Sequence, residues 1–204
     1  SAEKAYDELG SPSQLASMGV ELIVGDVCDA HVADQLVGSC GSNGACIHLV
    51  GIIREVRGDS PKDRPQTFDR MHVQATRTMT EACKRAGVAR YIQMSALGVG
   101  SEGKSAYQKT KWEGEQIVRR SGLHWTIMRP SMIHGAGSEF IGMLADITSG
   151  EKAPWFFIPY FVRIEFDDRL PMPVAPTRMV PAKVQPIAVE DVAFAFAQAI
   201  DTPA

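Results

Sequence analysis

The chain has 204 residues, 45% of them hydrophobic, and a formal net charge of −3. That size and apolar share can bury one substantial core. A mildly negative chain without a basic block lacks the electrostatic footprint of a nucleic-acid binder. The richest apolar run, 153–162, is too short to span a bilayer, and no signal peptide is visible.

Residues 1–19 read as a polar connection and an irregular helix. ELIVGDVCD then predicts a short strand over 21–24, ending in Gly25-Asp26. A short helix follows over 30–37, broken by the Gly/Ser cluster 38–44. ACIHLVG, residues 45–51, is a continuous apolar run, as in a strand covered on both faces. The charged stretch 54–64 contains Gly58 and Pro61 and reads as a loop. From 66 to 86, Phe68, Met71, Ala75, Met79, Ala82 and Ala86 recur at helical spacing, and Gly87 stops the run. Cys28, Cys40, Cys46 and Cys83 show no C-x-x-C spacing. Reduced core thiols in a cytoplasmic setting are therefore expected, or in an organelle if a targeting segment precedes Ser1.

The most informative stretch is YIQMSALGVGSEGKSAYQKTK, residues 91–111. A buried strand over 91–94 ends at Ser95, and a Gly-rich loop leads to a helix at Ser105. Ser105 with Gln108 three residues later forms a capping box, so Tyr107 and Lys111 lie one above the other on one helical face. A phenol with an ordinary pKa of about 10 exchanges protons poorly at neutral pH. An ammonium one turn away would lower that value, and the Ser95 hydroxyl could hold a substrate oxygen. By spacing alone, the plainer reading of the pair is a surface lysine beside a half-buried tyrosine. Farther on, WTIMRP predicts a buried strand and 138–150 a helix. Residues 151–183 are proline-rich without clear periodicity. VQPI then precedes an amphipathic helix carrying Val192, Phe196 and Ile200 on one face.

Strand–helix alternation at this spacing predicts an α/β fold, a doubly wound parallel sheet with helices on both faces. Ligands of such sheets lie beyond the carboxyl ends of the strands, where Asp26, Gly51, Ser95 and Pro130 all stand.

The ordered motifs GDVCD, HLVG, MHVQATRTMTEAC, YIQMSALG, YQKTK, MRPSMIHGAG and VQPIAVEDVA resemble the atypical and extended short-chain dehydrogenase/reductases. Within that superfamily they are most similar to the complex I dinucleotide-binding accessory subunit and to nucleoside-diphosphate-sugar epimerase-like proteins. The resemblance implies a Rossmann domain over 1–150 and 184–204, with 151–183 on the substrate or partner side. It implies NAD or NADP as cofactor. Lys4 is a candidate contact for a 2′-phosphate, which favours NADP.

By the same resemblance, Asp26 accepts from adenine and Val27 packs on its ring. Leu49, Val50 and Gly51 line the dinucleotide, and Pro130, Ser131 and Ile133 flank the nicotinamide. Tyr107 is the acid/base, Lys111 bonds the ribose and tunes Tyr107, and Ser95 holds the substrate. From residue type alone, Asp26 is equally a turn acceptor. His72 stands where relatives carry Asn, either as a partly buried helix residue or as a proton relay. The family's glycine-rich turn, which cradles pyrophosphate at a helix N-terminus, does not occur in this sequence.

Two functions follow as expectations. One is an NAD(P)-dependent oxidoreductase or epimerase-like enzyme acting on a small molecule. The other is a cofactor-holding subunit or redox sensor without turnover, within a homodimer or larger complex. No metal is expected. The aromatic segment APWFFIPYFV could wall an apolar pocket, dock on a partner or touch a membrane surface, with core packing as the plain alternative.

Overall fold

The computed structural model describes residues 10–38, 40–56, 64–135, 142, 149, 162–165, 178–181 and 185–202. Lys4 and the aromatic run 155–161 lie outside them. Of the helix expected over 138–150, only Gly142 and Ser149 are described, both helical. The chain forms two compact units, Ser1–Arg129 with Phe196–Ala204, and Pro130–Ala195. The sequence-based division instead falls at 150 and 184.

In the first unit, helix α1 (Pro12–Ser17) opens on a capping box of Ser11 and Gln14, and α2 (Ala30–Gly38) follows. Strand β1 (Ala45–His48) pairs in parallel with β2 (Arg90–Met94), which pairs in parallel with β3 (Trp125–Met128). A π-helical turn (Asp69–Gln74) leads into α3 (Ala75–Ala86). The helix α4 (Ala106–Arg120) carries the predicted capping box of Ser105 and Gln108. One core joins Cys46 of β1 and Tyr91 of β2 to Val37 of α2, Cys83 of α3 and Val118 of α4. The parallel sheet with its covering helices is thus the expected Rossmann-like architecture.

The helices α3 and α4 touch closely because α4 has no side chain at Gly114. A Cβ there would stand 2.7 Å from the backbone oxygen of His72 and 3.5 Å from Thr76 Oγ1. Backbone cannot yield as a flexible side chain does, so Gly114→Ala is expected to cost roughly 1–3 kcal/mol. An unchanged urea midpoint would contradict that close approach.

Three sequence expectations need correction. The strand expected over 21–24 is absent, and Val24 is 62% exposed. A strand exists only with a ladder partner, and no described strand lies beside this run. The run 45–51 is covered on one face only: Cys46 and His48 are buried, whereas Ile47 and Leu49 are exposed. The final helix α5 (Val189–Asp201) buries Val192 and Phe196 as expected, but Ala199 takes the place of the exposed Ile200.

In the second unit, β4 (Ile133–His134) pairs in parallel with β7 (Ile187–Ala188). Strands β5 (Val162–Glu165) and β6 (Arg178–Pro181) form an antiparallel pair inside the stretch read from sequence as aperiodic. Among the described residues no helix is long and apolar enough to cross a membrane.

Candidate functional site

Four segments of the first unit meet around Lys111. Its ammonium donates to the carbonyl oxygen of Met94 at the end of β2, at 3.2 Å. A Cβ on Gly51, in the turn after β1, would lie 2.7 Å from the same nitrogen. The β1 turn thus lies close over the lysine, whose long side chain would have to move to admit a larger residue at this position. Burial of the ammonium lowers its pKa to about 8, with the Glu115 carboxylate pulling it back upward. An ammonium has three donors, so two remain beyond the one given to Met94.

His72 fastens this turn to α4. The Thr110 hydroxyl gives its proton to the Ala106 carbonyl at 2.9 Å. Its oxygen can then accept Nδ1–H of His72, at 2.9 Å. Nε2 lies 3.2 Å from the Ile52 N–H and 3.0 Å from the Ile52 carbonyl oxygen, so either tautomer keeps both ring nitrogens engaged. Burial, helped by the Lys111 charge, lowers the His72 pKa to about 4 and keeps the ring neutral. The ring also contacts Tyr107 edge-on at 5.3 Å and stacks on Phe68 at 5.5 Å. His72 lies in the π-helical turn, where Ala75 N–H reaches back to Arg70. Its carbonyl accepts the Thr76 hydroxyl at 2.7 Å. Such wide turns recur at functional sites. The sequence left His72 open between two roles. The geometry makes it fully buried, with both ring nitrogens engaged.

Tyr107 is half-buried, and burial raises its pKa. The expectation that Lys111 depresses it is corrected: loss of water around the phenol is the resolved effect, and it acts the other way.

Ser95 is buried, and its hydroxyl donates to Glu115 Oε1 at 2.6 Å. Glu115 was not singled out from sequence, yet its side chain has 0% exposure beneath the site. It receives two bonds from Arg129, Nε at 2.8 Å and Nη2 at 2.6 Å. Burial works to raise its pKa, but Arg129 and Ser95 outweigh that and hold the carboxyl below its usual range. The available signal was position: Glu115 is one turn after Lys111 on the same face, and Arg129 closes an otherwise apolar strand.

Asp26 takes the turn-acceptor role that the residue type allowed. Its Oδ1 accepts Cys28 N–H at 3.0 Å, while Oδ2 accepts Arg64 at 2.8 Å and also Arg70. Partial burial works to raise its pKa, but these three donors hold it low. Val27 packs against the core, Leu49 and Gly51 are exposed, and Val50 is half-buried. Pro130, Ser131 and Ile133 belong to the second unit. There the Ser131 hydroxyl donates to the Gln185 carbonyl, and Ile133 pairs with Ile187. No cluster of metal-ligating side chains occurs among the described residues.

One other histidine contact bears on acid stability. His48 is buried with Nδ1 2.6 Å from the Tyr91 hydroxyl, and burial, with the Lys111 charge, lowers its pKa to about 4. Both His48 and His72 thus fall from an unfolded value of 6.5. Between those limits the unfolded chain binds protons that the folded chain refuses. The stabilisation is complete above 6.5 and drains away as pH falls toward 4. By pH 5 the loss is expected to reach about 2 kcal/mol per histidine. Urea midpoints that stay level from pH 7 to 5 would show that these rings are not buried neutral.

The model of a family described as NAD(P)H-binding matches residues 10–146. Subunit 9 of the NADH dehydrogenase [ubiquinone] 1 alpha subcomplex from Mus musculus is 28% identical over 138 residues, 68% of this chain and 33% of that protein. The Dictyostelium discoideum counterpart is 26% identical over 110 residues, 54% of this chain and 29% of its own. The chain thus spans about a third of the length of these curated relatives. Among solved structures, the Bordetella bronchiseptica enzyme WbmH in complex with NAD+ superposes with a TM-score of 0.58 at 17% identity, over 89% of this chain and 57% of that one. DesIV, a dTDP-glucose 4,6-dehydratase from Streptomyces venezuelae with NAD bound, gives 0.51 at 19%, over 76% and 54%. At these identities the two structures establish the fold.

Proposed function

The chain belongs to the NAD(P)H-binding family, and from that premise we propose that it is an oxidoreductase in which Tyr107 exchanges a proton with a carbonyl or carbinol oxygen. The observation that carries this reading is the junction of Gly51, Met94, His72 and Lys111 beside the Tyr107 ring.

The residues present fit a dinucleotide. Gly51 is bare and exposed, and Lys111 keeps two unspent donors for ribose hydroxyls. In this reading Leu49, Val50 and Gly51 line it, and Asp26 and Val27 border the adenine. Residues 151–183 belong to the substrate or partner side. When bound, a reduced nicotinamide supplies a hydride to a carbonyl carbon. The chain's own part is the proton. Burial keeps Tyr107 protonated at neutral pH, so the phenol enters as an acid toward the carbonyl oxygen. Reduction can use the phenol as it stands, while the reverse reaction would have a phenolate take up the proton. Ser95 orients the site through Glu115 rather than by offering its proton to substrate. NADP is favoured over NAD by the same expectation attached to Lys4.

A second reading is an NAD(P)-holding subunit or redox sensor. The commitment of the Ser95 hydroxyl to Glu115 favours it, as do curated relatives named as NADH dehydrogenase subunits. Loss of NADPH and NADH absorbance with a panel of aldehydes and ketones separates the two. Carbonyl-dependent oxidation is expected. Tight dinucleotide binding with no oxidation across the panel would select the second reading.

A further inference from the structure

We propose that Phe68 is a positioning residue for Tyr107, holding the plane of the phenol ring and with it the direction of the hydroxyl; this rests on the oxidoreductase reading above. By sequence, Phe68 belongs to the helical stripe that runs on through Met79 and Ala82. Those two lie in the core, and Phe68 does not. The π-helical turn Asp69–Gln74 separates them. A turn holding one residue more than the α-helical number rotates whatever precedes it by about 100° around the axis. Phe68 thereby leaves the core stripe and comes to the Tyr107 ring.

Its backbone is pinned in that place. The Phe68 N–H donates to Glu55 Oε1 at 2.8 Å. Beside it, Val56 and Gln66 exchange two backbone bonds of 3.0 and 2.9 Å. The Phe68 ring stacks on His72 at 5.5 Å, with 24° between the planes. Tyr107 meets both members of this stack nearly at right angles, 80° to Phe68 at 5.9 Å and 87° to His72 at 5.3 Å. Such contacts are orientational, because a ring face is negative and a ring edge positive. His72 is held in turn by Thr110 and Ile52. Conjugation keeps a phenolic O–H in the plane of its ring, so fixing that plane fixes where the proton is offered. An aliphatic side chain of similar bulk would fill the space without setting the plane.

Two variants of the full chain test this. Phe68→Leu keeps apolar bulk and removes the ring, whereas Phe68→Tyr keeps the ring. In Phe68→Leu, kcat for NADPH-dependent carbonyl reduction is expected to fall about tenfold to a hundredfold, as misplaced reacting groups do. The Kd for NADPH is expected to stay unchanged, and Phe68→Tyr to recover most of the lost kcat. A second readout needs no turnover: the Tyr107 phenol is titrated by NMR of tyrosine-labelled protein, its signal assigned with Tyr107→Phe. Burial raises that pKa. Phe68→Leu changes no charge and admits water to the ring, so the phenol is expected to titrate lower. Equal losses of kcat in the two variants, a fall in NADPH affinity matching the fall in kcat, or an unchanged phenol titration in Phe68→Leu would each overturn the inference. Absence of carbonyl reduction in the wild type would refute the oxidoreductase reading instead, and the titration alone would then decide whether Phe68 holds the phenol.

Discussion

Tyr107→Phe is expected to lower carbonyl reduction by about 10²–10⁴-fold, the usual worth of a positioned proton donor, while leaving dinucleotide affinity unchanged. The substitution removes one oxygen and keeps the ring. The edge contacts to His72 and Phe68, at 5.3 and 5.9 Å, therefore survive, and so does the packing of α4. Around the ring, both His72 nitrogens and the Ser95 hydrogen are engaged inside the protein, and the other proton held nearby is on the Lys111 ammonium, which already gives one hydrogen to Met94. Turnover that persists in the variant would assign the proton to another group. A parallel loss of dinucleotide affinity would mean that the hydroxyl serves binding instead.

Glu115→Ala is expected to cost about 3 kcal/mol of stability, since removing one partner of a buried ion pair strands the other. The carboxylate has no exposure, whereas the Arg129 side chain is 37% exposed. Water can thus recover part of the guanidinium's solvation, which keeps the loss at the low end. The Ser95 hydroxyl is stranded as well. Glu115→Gln, which retains an acceptor for Ser95, is expected to lose less. The folded carboxyl pKa is held below its ordinary value. Its contribution is therefore complete above that value and declines as pH falls through the folded pKa. Thermal or urea unfolding at neutral pH reads both variants. Equal stability of wild type and Glu115→Ala would remove the proposed clamp between α4 and the ends of β2 and β3.

Local rules carried the reading of α4 well. A Ser followed three residues later by Gln closes a helix start by its own backbone bonds, and the capping box of Ser105 and Gln108 formed as such. The stop at Gly87 is equally local: its backbone is left-handed, φ +67°. The meeting of Gly51 with Lys111 followed from strand order, because parallel strands deliver their carboxyl ends to one edge. What the sequence could not supply were facts set by distant partners. Whether 21–24 becomes a strand depends on a ladder beside it. The direction of the Tyr107 shift depends on burial, which residue spacing does not encode. The Ser95 hydroxyl reads as catalytic until Glu115, twenty residues on, is seen beneath it. Asp26 looked like a strand-end ligand, and two arginines from the segment leading into α3 claimed it.

If the turn after β1, the end of β2 and the Lys111 turn of α4 form one dinucleotide surface, all three respond to the cofactor together. Backbone amide shifts of isotope-labelled protein during an NADPH titration test it most directly. Gly51, Ile52, Ser95 and Lys111 are expected to move together in one saturable transition. Saturable shifts elsewhere with these four unmoved would contradict it.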